Sequence, residues 1–267
     1  MKLPSAYVLS NNGLGDNIAM NGAVHFLRNY YETVFFLCKD IHLHQIAYLY
    51  QNYPQIVMVP FDPKQEFEFC YHFLSEKYAT SDVFVGGLHT VNLRSKITHP
   101  ELVTLPRDTS SDDRLPKFYE FIEAFYLEIR VPFHCFYRHF TVDIDGAMKS
   151  LYDNISTYKI IFVHSSCSLG NINLDEQVAR YIDQDDVVVI CVNRNYYPTS
   201  HSKYAVANSY INLPTVLHYI EIIRHAHAIH VSDSSISCMV LALLMSNQLE
   251  TTDIKIYQRY TLKNHLM

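Results

Sequence analysis

The chain opens with Ala6-Tyr7-Val8-Leu9-Ser10-Asn11-Asn12-Gly13-Leu14-Gly15-Asp16-Asn17, followed by the apolar run Ile18-Ala19-Met20. Four apolar residues read as a strand, the glycine-bearing turn as a sharp reversal, and the run beyond it as a helix extending to about Tyr30. Glycines let backbone approach a bound molecule, and the first amides of the helix point unpaired toward whatever lies above the strand. A strand, a glycine turn with one carboxylate and a helix are the start of an α/β ligand site.

The pattern repeats along the chain. Strands are expected at Thr33 to Cys38, Ile56 to Val59 and Asp82 to Val85, with a short helix from His44 to Tyr50 between the first two. Gly86-Gly87 then turns the chain over the sheet edge. Alternating strands and helices predict a parallel sheet covered on both faces, with ligands at its carboxyl edge. Leu105 to Arg114 reads as a polar surface loop, and Phe118, Phe121, Ile122 and Phe125 as the core-facing stripe of a helix. A junction is expected between Asp143 and Ser150, dividing the chain into domains 1–145 and 146–267. The second half repeats the plan with strands at Lys159 to Val163, Val187 to Val192 and Ala228 to Val231. Its helices are expected at Asp175 to Ile182, Leu217 to Ala226 and Ile236 to Met245.

Composition limits the function. A chain of 267 residues that is 49% hydrophobic has material for two ordinary cores, and its net charge of -6 argues against a nucleic-acid binder. Six scattered cysteines without a CxxC pair read as reduced, buried thiols rather than a disulfide frame or zinc site. No secretory leader and no apolar run long enough for a transmembrane span is seen, so a cytoplasmic protein is expected. Seven glycines, no tryptophan and abundant Tyr, Asn, Ile and His are the composition of an AT-rich genome; were it viral, the compartment would be the host cytoplasm.

Three places carry chemistry. Asp233-Ser234-Ser235-Ile236-Ser237 opens a helix where amides and hydroxyls can receive a diphosphate, although a capped helix needs no ligand. His164-Ser165-Ser166 ends a strand; without a G-x-S-x-G elbow it does not read as a hydrolase nucleophile. The Gly13-Leu14-Gly15-Asp16 turn lacks the third glycine of a dinucleotide site and the Gly-Lys-Ser/Thr of a P-loop. What remains is a carboxylate suited either to deprotonating a hydroxyl or to capping its helix. His225, His227 and His230 have no fixed metal spacing and read as a mixture of cap, core and surface.

Gly13-Leu14-Gly15-Asp16-Asn17-Ile18-Ala19-Met20-Asn21-Gly22-Ala23 and Val231-Ser232-Asp233-Ser234-Ser235-Ile236-Ser237-Cys238-Met239-Val240-Leu241-Ala242 resemble, in order and spacing, the two signature regions of the heptosyltransferase-like glycosyltransferases. The resemblance implies a GT-B fold, with two Rossmann-like α/β/α domains facing across a central cleft. It implies an inverting, metal-independent transfer from a nucleotide-sugar donor to a glycan or other hydroxyl acceptor, with Asp16 as catalytic base and no cofactor. Donor-binding roles fall on Gly13, Gly15, Asn17, His164, Ser165, Ser166, Asp233, Ser234, Ser235 and Ser237. Asn193 and Arg194 would lie near the base in a donor-binding carboxyl-terminal domain, and the amino-terminal domain would take the acceptor. The chain departs from the family pattern with Ser235 in place of a glycine, Cys238 in place of a histidine, and no Lys or Arg in Cys167 to Asn173. Arg194, Lys203 or His164 stands to replace that cation. A retired binding scaffold and an epimerase-like enzyme on the same fold are the alternatives.

Overall fold

The structure is a computed structural model in which residues 2–10, 13–87, 94–105, 116–167 and 170–258 are described. Its internal contacts divide the chain into two compact units, Met1–Asp143 and Ile144–Met267.

The first unit runs β1 (Leu3–Leu9), α1 (Leu14–Ala19), α2 (Asn21–Leu27), β2 (Tyr31–Lys39), α3 (Leu43–Leu49), β3 (Ile56–Phe61), α4 (Glu66–Lys77), β4 (Asp82–Val85), α5 (Pro100–Thr104), α6 (Glu120–Glu128) and α7 (Cys135–Arg138). Its four strands are parallel in the order β3-β2-β1-β4. Alternate residues serve the two faces of the sheet. Tyr7, Leu9, Leu37, Val83 and Val85 pack with Cys70 and Leu74 of α4, and residues of the opposite parity, Ala6, Val8, Val34, Phe36 and Phe84, are also fully buried. Asp82, only 1% exposed, sits at the amino end of β4. It accepts hydrogen bonds from Tyr31 Oη at 2.5 Å, Thr98 N and Oγ1 at 2.7 Å each, and His99 N at 3.0 Å, tying the 94–105 segment to the sheet.

The single helix expected from Ile18 to Tyr30 is two helices, α1 and α2, meeting at Met20. The cause is an inserted side chain. Tyr126 Oη of α6 donates to Ala19 O at 2.9 Å and accepts from Ala23 N at 3.1 Å, occupying the place of the i to i+4 bond between those residues. Asn21 exchanges two more bonds with the Thr141 backbone, and a Cβ on Gly22 would lie 2.0 Å from Cys135 O, so α2 and α7 approach closely because residue 22 has no side chain. Neither contact is visible in the helical periodicity. Helix α4 was also unforeseen, its apolar residues being too dispersed to form a clear stripe. In the Phe118 to Phe125 stripe, a short 3-10 turn over Lys117–Tyr119 precedes α6, and Ile122 and Phe125 are buried as expected. The expected loop lies, beyond Leu105, outside the described residues.

The second unit runs α8 (Gly146–Asp153), β5 (Lys159–His164), β6 (Ser166–Cys167), β7 (Gly170–Asn171), α9 (Asp175–Ile182), β8 (Val187–Cys191), α10 (Tyr204–Asn208), α11 (Ile220–Arg224), β9 (Ala228–Ser232), α12 (Ser235–Met245) and β10 (Ile254–Tyr257). The main sheet is parallel in the order β10-β9-β5-β8, with β6 and β7 forming a two-residue antiparallel ribbon beyond β5. Every residue of β8 and β9 is buried, as expected of strands covered on both faces. In α12 all residues from Ile236 to Leu243 are buried, so this helix is apolar on every side. Asp145 caps α8 by accepting from Met148 N at 2.9 Å, placing a helix where the domain junction was expected. Strand β10 and helix α10 were not anticipated, and the helix expected from Leu217 begins as a 3-10 turn over Val216–Tyr219 before α11.

Candidate functional site

In each unit the strand order reverses about the first strand, and ligands of open α/β sheets settle outside the carboxyl ends of strands at such a point. In the first unit the chain builds β2 and β3 on one side of β1 and then crosses to β4 on the other. The turn following β1, which holds Gly13 to Asn17, stands at that reversal, and Gly86 N reaches Leu9 O there at 3.0 Å.

Asp16 is the third residue of α1, and its Oδ2 accepts the Gly13 N–H at 2.9 Å. The carboxylate thus reaches back to the helix start from the third position, the N-cap itself being Gly13 and not Asp16, while remaining half-exposed. Gly13 has φ -87 and ψ 154, a conformation open to any residue. Its requirement is for space: a Cβ would lie 2.8 Å from Asp16 Oδ2. Asn17 is buried and accepts from Ser10 Oγ at 2.7 Å, bracing the turn against the end of β1. Its Nδ2 is buried with no hydrogen-bond partner among the described residues. Gly15 lies within the first turn of α1, and Asn11 and Asn12 fall outside the described residues.

In the second unit the chain pairs β5 with β8 and then crosses to β9, so the reversal lies between β5 and β9. The residues following those two strands are His164-Ser165-Ser166 and Asp233-Ser234-Ser235. They meet: His164 Nδ1 lies 3.0 Å from Ser234 Oγ, and Ser232 Oγ donates to Ser166 O at 2.7 Å. Ser234 is the N-cap of α12, its N–H donates to Ser237 Oγ at 2.8 Å, and Ser237 Oγ in turn donates to Ser234 O at 2.6 Å. The next two amides, on Ser235 and Ile236, have no acceptor among the described residues. Ser235 is the first residue of α12, where a serine is accommodated without strain. Asp233 is exposed, with its backbone N–H on Tyr257 O at 3.2 Å, and Cys238 is buried.

Ser165 behaves differently from its neighbours. It is 1% exposed, and its hydroxyl bridges to Asn193 beyond β8, with Asn193 Nδ2 donating to Ser165 Oγ at 3.2 Å. Ser165 and Asn193 thereby clasp together the chain leaving β5 and the chain leaving β8. Arg194 is ion-paired with Asp175 at the start of α9, and its guanidinium lies 4.0 Å above the Tyr196 ring. The partners Asp175 and Tyr196 were not singled out from the sequence, because nothing in their spacing links a helix start to a turn 19 residues later. Lys203 lies elsewhere: its Nζ donates to Gln184 O at 2.5 Å, beside the residue pair that precedes the amino end of β8.

His164 is 8% exposed, and burial alone pushes its imidazole down to about 4 from the ordinary 6.5, so it is neutral at pH 7. Burial likewise raises the Cys191 thiol and the Tyr196 phenol. The three histidines read as a mixture separate accordingly. His225 Nδ1 pairs with Glu250 at 2.6 Å and stacks on Tyr152, whereas His230 is fully buried with Nδ1 2.8 Å from Tyr257 Oη. Among the described residues no group of three or more His, Cys, Asp or Glu is arranged to hold a metal, and no helix is long and apolar enough to cross a membrane. All six cysteines are free thiols, five of them buried.

No protein-family profile matches the chain, and no curated protein sequence matches it. Among solved structures it is similar to the ADP-heptose LPS heptosyltransferase II of E. coli, with a TM-score of 0.50 and 12% identity over 96% of this chain and 90% of that one. It also matches the iron-containing dodecameric glycosyltransferase TibC of enterotoxigenic E. coli (TM-score 0.45, 15% identity, 97% of this chain and 59% of that one). The E. coli heptosyltransferase WaaC with ADP follows at a TM-score of 0.42 and 7% identity, over 96% of this chain and 91% of that one. The first of these likenesses shows the fold: the chain consists of two successive Rossmann-like α/β units, the GT-B plan.

Proposed function

We propose that the protein is a glycosyltransferase of the heptosyltransferase-like type, taking a sugar from a nucleotide-sugar donor to an acceptor hydroxyl with inversion. The observation that carries the reading is the meeting of two chain segments at the strand-order reversal of the second unit. There the unclaimed amides of Ser235 and Ile236 open an apolar helix, beside the His164 imidazole and the Ser166 turn. A diphosphate placed there would be held by fixed dipoles at a positive helix end, which stabilise a departing nucleoside diphosphate as its charge develops. Such an arrangement supplies the electrostatic help that a divalent cation gives elsewhere. Asn193 and Arg194 border the same edge, where the nucleoside would extend.

Asp16 is assigned the base. In this reading it accepts the proton of the acceptor hydroxyl as the oxygen bonds to the anomeric carbon and the bond from that carbon to the diphosphate oxygen breaks. Gly13 gives the carboxylate its room, and Asn17 braces the turn that carries it. A thermal-shift panel of ADP-, GDP- and UDP-sugars tests donor binding, since a ligand that binds only the folded chain raises its melting temperature. Asp16→Asn should keep the shift and lose transfer. A stabilising donor that is neither transferred nor hydrolysed would favour the retired scaffold instead, and epimerised donor without acceptor would favour the epimerase.

A further inference from the structure

Resting on this donor reading, we infer that His164 is the cation of the donor site, and that its imidazole acquires its charge by taking up a proton when the diphosphate binds. The region between Cys167 and Asn173 contains neither Lys nor Arg, so two negative phosphates need a positive partner from elsewhere. Three side chains were available from the sequence, and the geometry separates them. Arg194 is already paired with Asp175. Lys203 is tied to Gln184 O, among residues that precede β8 rather than follow it. His164 alone touches the N-cap of α12, through Nδ1 and Ser234 Oγ at 3.0 Å.

His164 Nε2 has no hydrogen-bond partner among the described residues, on a side chain that is more than nine-tenths buried. A neutral imidazole offers one donor and one acceptor, whereas the protonated ring offers two donors. Protonated His164 can therefore donate from Nδ1 to Ser234 Oγ while its Nε2–H serves a phosphate oxygen. Without the anion the buried ring cannot hold that charge, and it stays neutral.

Among the described residues His164 forms no ion pair. Across β8 and its turn the titratable groups are Cys191, Tyr196 and the Arg194–Asp175 pair; on β9 and beyond they are His230, hydrogen-bonded to Tyr257, and the exposed Asp233. Helix α11 carries Glu221 and Arg224, which pair with each other, the His225 that follows pairs with Glu250 and Glu221, and the ribbon carries Cys167. Among the described residues burial is the cause of the low basicity of His164.

The test is isothermal titration calorimetry of the full chain with ADP-, GDP- and UDP-glucose, whose diphosphate diesters do not themselves titrate near neutrality. Titrations in PIPES and in Tris, which differ in ionisation enthalpy, count the protons exchanged. The unaltered protein should take up about one proton per site at pH 6, with Kd rising about tenfold per pH unit until the complex itself loses the proton. His164→Asn, which keeps an acceptor for Ser234, should bind more weakly, with no proton uptake and a flat pH profile. His164→Gln provides the same test should the asparagine variant misfold by circular dichroism. Binding without uptake by the unaltered protein, or uptake unchanged in a folded variant, overturns the inference while leaving donor binding intact. If none of the three sugar nucleotides binds the folded protein, the donor reading falls, and the role of His164 with it.

Discussion

Gly13→Ala separates a positioning role at the glycine turn from a purely structural one. Alanine is compatible with the backbone at φ -87 and ψ 154, so the substitution introduces no torsional strain. Its Cβ would stand 2.8 Å from Asp16 Oδ2 and 3.6 Å from Asp16 Cγ, and the part that must yield is the end of a mobile carboxylate. The Gly13 N–H to Oδ2 bond of 2.9 Å is then lost. One half-exposed hydrogen bond contributes about 1 kcal/mol, and replacing glycine by alanine returns about 0.4–1 kcal/mol through the unfolded chain, so stability should change by less than about 1 kcal/mol. Catalysis should respond far more. A general base contributes about 10²–10⁴-fold, and one turned away from its hydroxyl forfeits most of that. The assay is release of nucleoside diphosphate from whichever sugar nucleotide stabilises the protein, with water as acceptor if need be, alongside urea unfolding. A folded Gly13→Ala protein that retains hydrolysis within about threefold would refute the assignment of Asp16 as base. A variant that loses several kcal/mol would show instead that the turn is structural.

Three further outcomes follow from buried groups. Asp82→Ala leaves the Tyr31 hydroxyl and the Thr98 and His99 amides without their acceptor, and should cost about 4 kcal/mol in urea unfolding, with Asp82→Asn losing roughly half as much; a loss below about 1 kcal/mol would contradict this. Gly22→Ala would press a methyl group onto the Cys135 carbonyl and should cost about 3 kcal/mol, because the obstacle is backbone rather than a movable side chain. Burial, with the nearby Arg28 cation, lowers His25 to about 3, and burial lowers His230 to about 4. Because both lie below the unfolded value of about 6.5, the unfolded chain takes up protons that the folded one refuses as pH falls. Their contribution is complete above about pH 6.5 and falls by at most about 1.4 kcal/mol per histidine per pH unit down to those folded values. Urea midpoints at pH 7.5 and 5.0 should show a smaller acid loss in His25→Gln or His230→Asn than in the unaltered chain.

Much of this protein could be read directly from the order of its residues. Val187 to Cys191 and Ile160 to Val163 are continuous apolar runs, the pattern of strands buried on both faces, so the parallel sheets were legible. Asp233 to Ser237 showed a helix start because cap chemistry is local. The break at Met20 was hidden because it depends on a tyrosine hydroxyl arriving from more than a hundred residues away. Which serine is buried was hidden too: Ser165 and Ser166 are equivalent in composition, and the pairing of Ser165 with Asn193 beyond β5 and β8 distinguishes them. Among the three candidate cations, Arg194, Lys203 and His164 carried equal weight in one dimension. Local propensity and hydrophobic periodicity act over a few residues and are written in the chain itself. The strand orders, the inserted hydroxyl and the contact between His164 and the cap of α12 depend on how distant segments meet in the folded units.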